Sequence, residues 1–198
     1  MKKRFILISI IIPLLFSCLM SLYPVTENIK DIVFKKELLG HWKDANGNDE
    51  YIADTVTTAF GKNYKVTILD HSADKKNIDT SYFLVILVNI KGHYFLDCMP
   101  DTSQYSYSKL GDISRTFLLP CHNIIRVFSI KKNSIIMSAI DKDALSFLLK
   151  NKKINIKHED ISKDDILLTE KSLMLQQKLL ELEHFTSVYK KDSLIRIK

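Results

Sequence analysis

Asp97 and His122 are the residues in this sequence best suited to acid–base chemistry. They flank the segment from Pro100 to Pro120, one at each end, so a hairpin through it would bring their strand ends together. A histidine beside a carboxylate can shuttle a proton or orient a ligand near neutral pH. The plainer reading of the same residues is that Asp97 caps a turn and His122 bonds the loop backbone. Other constellations are missing: the chain has no G-x-S-x-G, no phosphate-cradling G-x-x-x-x-G-K and no H-E-x-x-H. The oxygen-rich run from Asp44 to Glu50 lacks calcium-loop spacing, with Asp49 and Thr55 where the sixth-position glycine and twelfth-position glutamate belong. His158, Glu159 and Asp160 are adjacent at a strand end and point in different directions, which suits a solvated turn better than a metal. No motif calls for a cofactor.

Tyr105 and Tyr107 alternate with small polar residues in the long Pro100–Pro120 segment. A segment of this kind can cover a binding mouth, because tyrosine supplies apolar area and a hydroxyl together. Cys98 and Cys121 read in two ways. A disulfide closing residues 98–121 would contribute roughly 3 kcal/mol in an oxidising compartment. Two buried thiols would each act as a small apolar residue.

The N-terminus sets the chain's destination. Lys2, Lys3 and Arg4 precede an apolar run from Phe5 to Phe16, interrupted by Ser9 and Pro13, and Ser17-Cys18 follows it. As a helix the run is about 18 Å long, short of the roughly 30 Å of bilayer hydrocarbon. It therefore reads as a secretory signal over residues 1–17. That piece carries three of the 29 basic residues and none of the 23 acidic ones, so the chain's +6 falls to +3 without it. A charge of +3 over 181 residues is not a nucleic-acid footprint.

Residues 18–34 read as anchor and spacer, and 35–198 as one domain. A short helical turn near Phe34–Leu39 leads to Gly40-His41-Trp42. Strands are predicted at Tyr51–Thr57, Tyr64–Asp70, Ser81–Ile90, His93–Met99, Ile124–Ile130, Ile135–Ile140, Ile154–His158 and Leu194–Lys198. Asn46-Gly47 suggests a type I′ hairpin turn. Tyr64, Val66 and Ile68 alternate with Lys65 and Thr67, giving a half-buried strand. The strand near Tyr82–Val88 is apolar on both faces and must be covered on both. Asp141 is the expected N-cap of a helix over Lys142–Lys150, and Thr169 that of a helix over Glu170–Glu183. The order predicts a mainly β (α+β) fold: an antiparallel meander forming a lipocalin-like barrel or curled sheet, with two C-terminal helices packed on it, and an open β-sandwich is the competing fold.

Leu15-Phe16-Ser17-Cys18 resembles the lipobox of bacterial lipoproteins. The resemblance implies cleavage before Cys18, acylation of its sulfur, and a protein held on a bacterial membrane. Leu19 in place of an aspartate implies the outer membrane, facing the periplasm. Gly40-His41-Trp42 resembles the G-x-W signature of lipocalin-like barrels, whose tryptophan closes the barrel base against a late arginine; here Arg126 or Arg196 could serve. Leu38–Trp42, Tyr94–Pro100, Pro120–His122 and Leu167–Thr169 are together similar to a group of uncharacterised bacterial envelope lipoproteins with no activity to transfer.

The expectation is a membrane-anchored, non-enzymatic module that binds a small apolar ligand or another envelope component. The alternative is a hydrolase or isomerase using His122 and Asp97.

Overall fold

The computed structural model describes residues 19–71, 78–104, 121–162 and 165–197. Its strands in chain order are β1 (Leu19–Ser21), β2 (Ile32–Val33), β3 (Gly40–Asp44), β4 (Glu50–Thr58), β5 (Gly61–Asp70), β6 (Asp79–Ile90), β7 (His93–Pro100), β8 (Asn123–Ile130), β9 (Ser134–Ala139), β10 (His158–Asp160), β11 (Ile166–Leu168) and β12 (Asp192–Arg196). Two α-helices lie among the described residues, α1 (Lys142–Lys150) and α2 (Ser172–Leu182).

Eight strands close a lipocalin-like barrel in the order β6-β5-β4-β3-β12-β9-β8-β7, and β7 pairs back onto β6. Every ladder in the ring is antiparallel. The chain winds as a meander until β9, leaves the wall for both helices, and returns as β12 between β3 and β9. Closure removes the free edges that an open sheet would expose.

Alternation assigns the two faces. Tyr64 and Ile68 of β5, Val85 and Leu87 of β6, Ile125 and Val127 of β8, and Ile135 and Met137 of β9 point inward and form the lumen core. Val88 and Ile90 of β6, Phe95 of β7 and Ile124 of β8 point outward into a second core. That outer core contains Leu145 and Leu148 of α1 and Leu175, Leu179 and Leu182 of α2. The two-faced apolar strands are thus covered on both sides, as their composition requires. Asp141 caps α1 by accepting from the Ala144 amide at 2.9 Å. Burial raises its carboxyl pKa, but bonds from Lys190 and the Ala144 amide outweigh that and leave it lowered.

Several local expectations differ from the structure. The stretch read as a spacer joins the fold: β1 pairs with β11, β11 with β10, and Leu19, Ser21 and Val25 are buried. Thr169 is not a cap. Its amide donates to the Lys157 carbonyl, and the Glu170 carboxylate accepts from the Lys157 amide, which holds the chain extended until α2 starts at Ser172. The Ile154–His158 strand is displaced: the ladder begins at His158, while Ile154 and Ile156 are buried in the outer core without pairing. Asn46-Gly47 does lie in a hairpin loop, but Gly47 is not among the positive-φ glycines. Five residues connect β3 to β4, and Asp44 accepts from the Asn46 amide at 2.8 Å, so an Asx turn replaces the type I′ turn.

Candidate functional site

The barrel base is sealed by residues 34–39, which cross it with a 3₁₀ turn at Lys36–Leu38. Three wall side chains lash this plug down. Trp42 donates from Nε1 to the Leu38 carbonyl at 3.0 Å. The Tyr64 hydroxyl accepts from the Lys35 amide at 2.7 Å and donates to the Lys35 carbonyl at 3.1 Å. Arg196 donates to the carbonyls of Leu39 and Glu37, both at 2.8 Å, and to that of Lys132 at 2.6 Å. Phe34 stacks on Tyr64 at 5.1 Å. Burying a tryptophan removes on the order of 200 Å² from water, worth roughly 5 kcal/mol. Trp42 is 1% exposed.

Of the two arginines considered for the base, Arg196 takes the role, its guanidinium 4.1 Å from the Trp42 ring centroid. Gly40 makes room for it. Gly40 has φ of +120°, and a Cβ there would lie 2.3 Å from Arg196 Nη1. Arg126 instead faces outward and forms a two-point ion pair with Glu183 beyond the end of α2, at 2.6 and 3.2 Å. It also donates to His93 Nδ1 at 2.9 Å and to the carbonyls of Tyr94 and Val127. Sequence reasoning missed this network because its members lie 33 and 57 residues apart.

Above the plug lies a cavity of about 80 Å³ lined by apolar side chains, among them Ala53, Val66, Phe83, Leu96 and Met137. At the opposite end of the barrel β5, β7 and β9 end and β6, β8 and β12 begin. That end is the mouth. Tyr51 lies inside the barrel, and burial pushes its hydroxyl pKa far up, helped by the carboxylates of Asp49, Asp44, Asp192 and Asp70. Burial and Asp70 likewise raise the Asp49 carboxyl.

Asp97 and His122 do meet. His122 Nδ1–H donates to Asp97 Oδ1 at 2.6 Å, and the other carboxylate oxygen accepts from the Val25 amide at 2.7 Å. Both side chains are well covered, at 13% and 3% exposed. Asp97 sits between Leu96 and Cys98, which face the lumen, so its own side chain points outward. Ser21 exchanges two backbone bonds with His122 on that side. The pair therefore binds the N-terminal segment to the outer wall where β7 ends and β8 begins. It does not face the cavity.

Cys98 and Cys121 are free thiols, not a disulfide. Cys98 pairs in register with Asn123, which puts Cys121 two residues further along. A diagonal offset of this kind separates Cα atoms by roughly 7–8 Å, beyond bridging distance. Burial raises both thiol pKa values, and Asp97 adds to the shift at Cys98. Neither is primed as a thiolate nucleophile. Cys18, Tyr105 and Tyr107 lie outside the described residues. Among those described, no helix is long and apolar enough to cross a membrane. No protein-family model, curated protein or solved structure matches the chain.

Proposed function

We propose that this chain is a lipid-anchored protein of a bacterial envelope whose barrel takes up a small apolar group without catalysing a reaction. The observation that carries the binding reading is the apolar cavity above the lashed base. Drug-sized ligands occupy roughly 300–1,000 Å³, so a void of about 80 Å³ suits a slim group such as the end of an acyl tail. The anchor reading is carried by Lys2-Lys3-Arg4, the short apolar run and Cys18. Two or three acyl chains on Cys18 would hold the protein durably, since each buried methylene is worth about 0.8 kcal/mol.

The test of binding is titration with a fluorescent linear polyene fatty acid, slim enough for the void, followed by displacement with a saturated long-chain fatty acid. Saturable, displaceable binding supports the reading. Emission that rises without saturation would leave only an interaction module for another envelope component. The test of the anchor is metabolic acyl labelling of the full chain against Cys18→Ser, where equal labelling excludes lipidation at that position.

A second reading, a hydrolase or isomerase using His122 and Asp97, draws on their 2.6 Å contact. Against it, one Asp97 oxygen is committed to the Val25 amide, and the pair points away from the cavity. Screening of ester and keto substrates against His122→Asn decides it: turnover that the substitution abolishes would establish the enzyme.

A further inference from the structure

Five neighbouring strands of the barrel, in the order β6-β5-β4-β3-β12, carry an aspartate at or beside their mouth end. Asp79 opens β6, Asp70 closes β5, Asp49 precedes β4, Asp44 closes β3 and Asp192 opens β12. Side chains two apart on a strand share a face. Asp49 is two residues from Tyr51, Asp44 from Trp42, Asp70 from Ile68 and Asp192 from Leu194, and all four of those neighbours line the cavity. The four carboxylates therefore stand on the lumen side above it. Asp79 lies directly opposite Asp70 in the ladder, and the Asp44 amide donates to the Asp49 carbonyl at 3.0 Å. Burial raises the Asp49 carboxyl, and the charges of Asp70 and Asp44 raise it further, against a bond from the His71 backbone. Among the described residues, no lysine or arginine pairs with Asp44, Asp49 or Asp192. Neutral groups serve them instead: the Asn46 amide donates to Asp44 at 2.8 Å and the Asn46 side chain to Asp192 at 3.1 Å.

Tyr51 is the second half of the site. It lines the cavity and is 6% exposed, yet among the described residues its hydroxyl has no hydrogen-bond partner. The carboxylates of Asp49, Asp44, Asp192 and Asp70 all bear on that hydroxyl, which puts it at the floor of the acidic crescent. The crescent is too wide for a metal: among the described residues, no three His, Cys, Asp or Glu side chains are grouped to hold one. We propose that the crescent and the Tyr51 hydroxyl hold the ammonium head of an alkylamine whose apolar tail enters the cavity. An ammonium carries three N–H donors and no acceptor, and the carboxylates and the hydroxyl oxygen all accept. Its charge offsets the crowding of like charges, which a carboxylate or phosphate head would worsen. About 13 Å of strand separates Ala53, beside the void, from Asp49, so one extended chain reaches both. The inference rests on the apolar-cavity reading and adds the sign of the head group; a fatty acid would be held by its tail alone.

Calorimetry tests this. The full chain is expressed in a bacterium and the mature protein purified, in phosphatidylcholine nanodiscs if it is acylated, with empty nanodiscs as the blank. It is titrated with octylamine, octanol and octanoate, which share an apolar tail and differ in the charge of the head. Octylamine should bind about tenfold more tightly than octanol, the scale of a hydrogen bond to a charged group, and octanoate should bind most weakly. Added salt should shrink the preference for the amine, because the mouth is open to solvent. The ratio of octylamine to octanol affinity should fall about threefold in Asp49→Asn and in Asp192→Asn, each of which removes one charge at nearly constant volume. Two variants are compared so that one that fails to fold does not decide the result. If octylamine binds no more tightly than octanol, or its preference survives both substitutions, the head-group inference is overturned while the cavity stands. If none of the three amphiphiles binds, the cavity reading and the inference fail together.

Discussion

The Arg196 guanidinium occupies the space that a side chain on Gly40 would need, and from there it lies 4.1 Å from the Trp42 ring. The glycine, the tryptophan and the arginine are thus one device. Gly40→Ala forces a Cβ against the guanidinium and places a side-chain residue at φ of +120°. A loss of about 2 kcal/mol or more is expected, because both strain and the displaced arginine contribute. For a chain of this size that lowers Tm by roughly 4–8 °C in a thermal melt. Arg196→Lys should also destabilise, since an ammonium cannot span the Leu39, Glu37 and Lys132 carbonyls together.

Filling the cavity should separate binding from stability. Ala53 lines the void and is 7% exposed. Ala53→Leu places three more carbons in the empty space, so uptake of the polyene fatty-acid probe should be lost. Thermal stability should change by less than about 2 kcal/mol, since filling gain and packing strain oppose each other. A variant that binds the probe like the parent would show that the probe sits elsewhere.

The Asp97–His122 pair should behave as a clamp on the N-terminal segment. Asp97→Asn weakens its bonds to His122 and to the Val25 amide. The expected cost is about 1–3 kcal/mol, the range for hydrogen bonds to charged groups. Amide exchange at Val25 and along β1 should speed up more than exchange along β4 and β5. A uniform change across all strands would mean that the pair stabilises the barrel as a whole.

Alkaline pH should loosen the base plug. Burial pushes the Tyr64 hydroxyl from its ordinary 10 up to about 12, opposed by its bond to the Lys35 backbone and aided by Glu37. The un-ionised hydroxyl is the form the fold favours. Its stabilising contribution is complete below pH 10, then falls as the unfolded chain ionises first, and is exhausted above about pH 12. Denaturant midpoints at about pH 9 and about pH 11 should therefore differ, and Tyr64→Phe should reduce the difference. Tyr51 and Tyr189 shift upward as well, so some dependence will survive that substitution.

Thiol chemistry gives a last check. Iodoacetamide should leave Cys98 unmodified in the native protein and label Cys121 slowly, because both thiols hold their protons at neutral pH. Mass spectrometry after denaturation should find no 98–121 bridge, even after mild oxidation.

Local pattern carried far in this chain. Alternation at Tyr64, Val66 and Ile68 marked a strand with one lumen face, and double-faced apolar runs marked the wall beneath the helices. The Asp141 cap follows from a bond within one turn, so it was legible too. What adjacency could not convey was partner choice. Thr169 looks like a cap until the Lys157 backbone, a dozen residues earlier, claims its amide. Leu19–Ser21 looks like a tether until β11 arrives from almost 150 residues away. Whether Arg126 or Arg196 meets Trp42 depends on β12 closing the ring beside β3, and the interior void depends on how the inward side chains of eight strands fill the space together. Periodicity is a property of neighbours in the chain, whereas closure, register and cavity volume are set by contacts whose loop entropy is repaid only when the whole barrel forms.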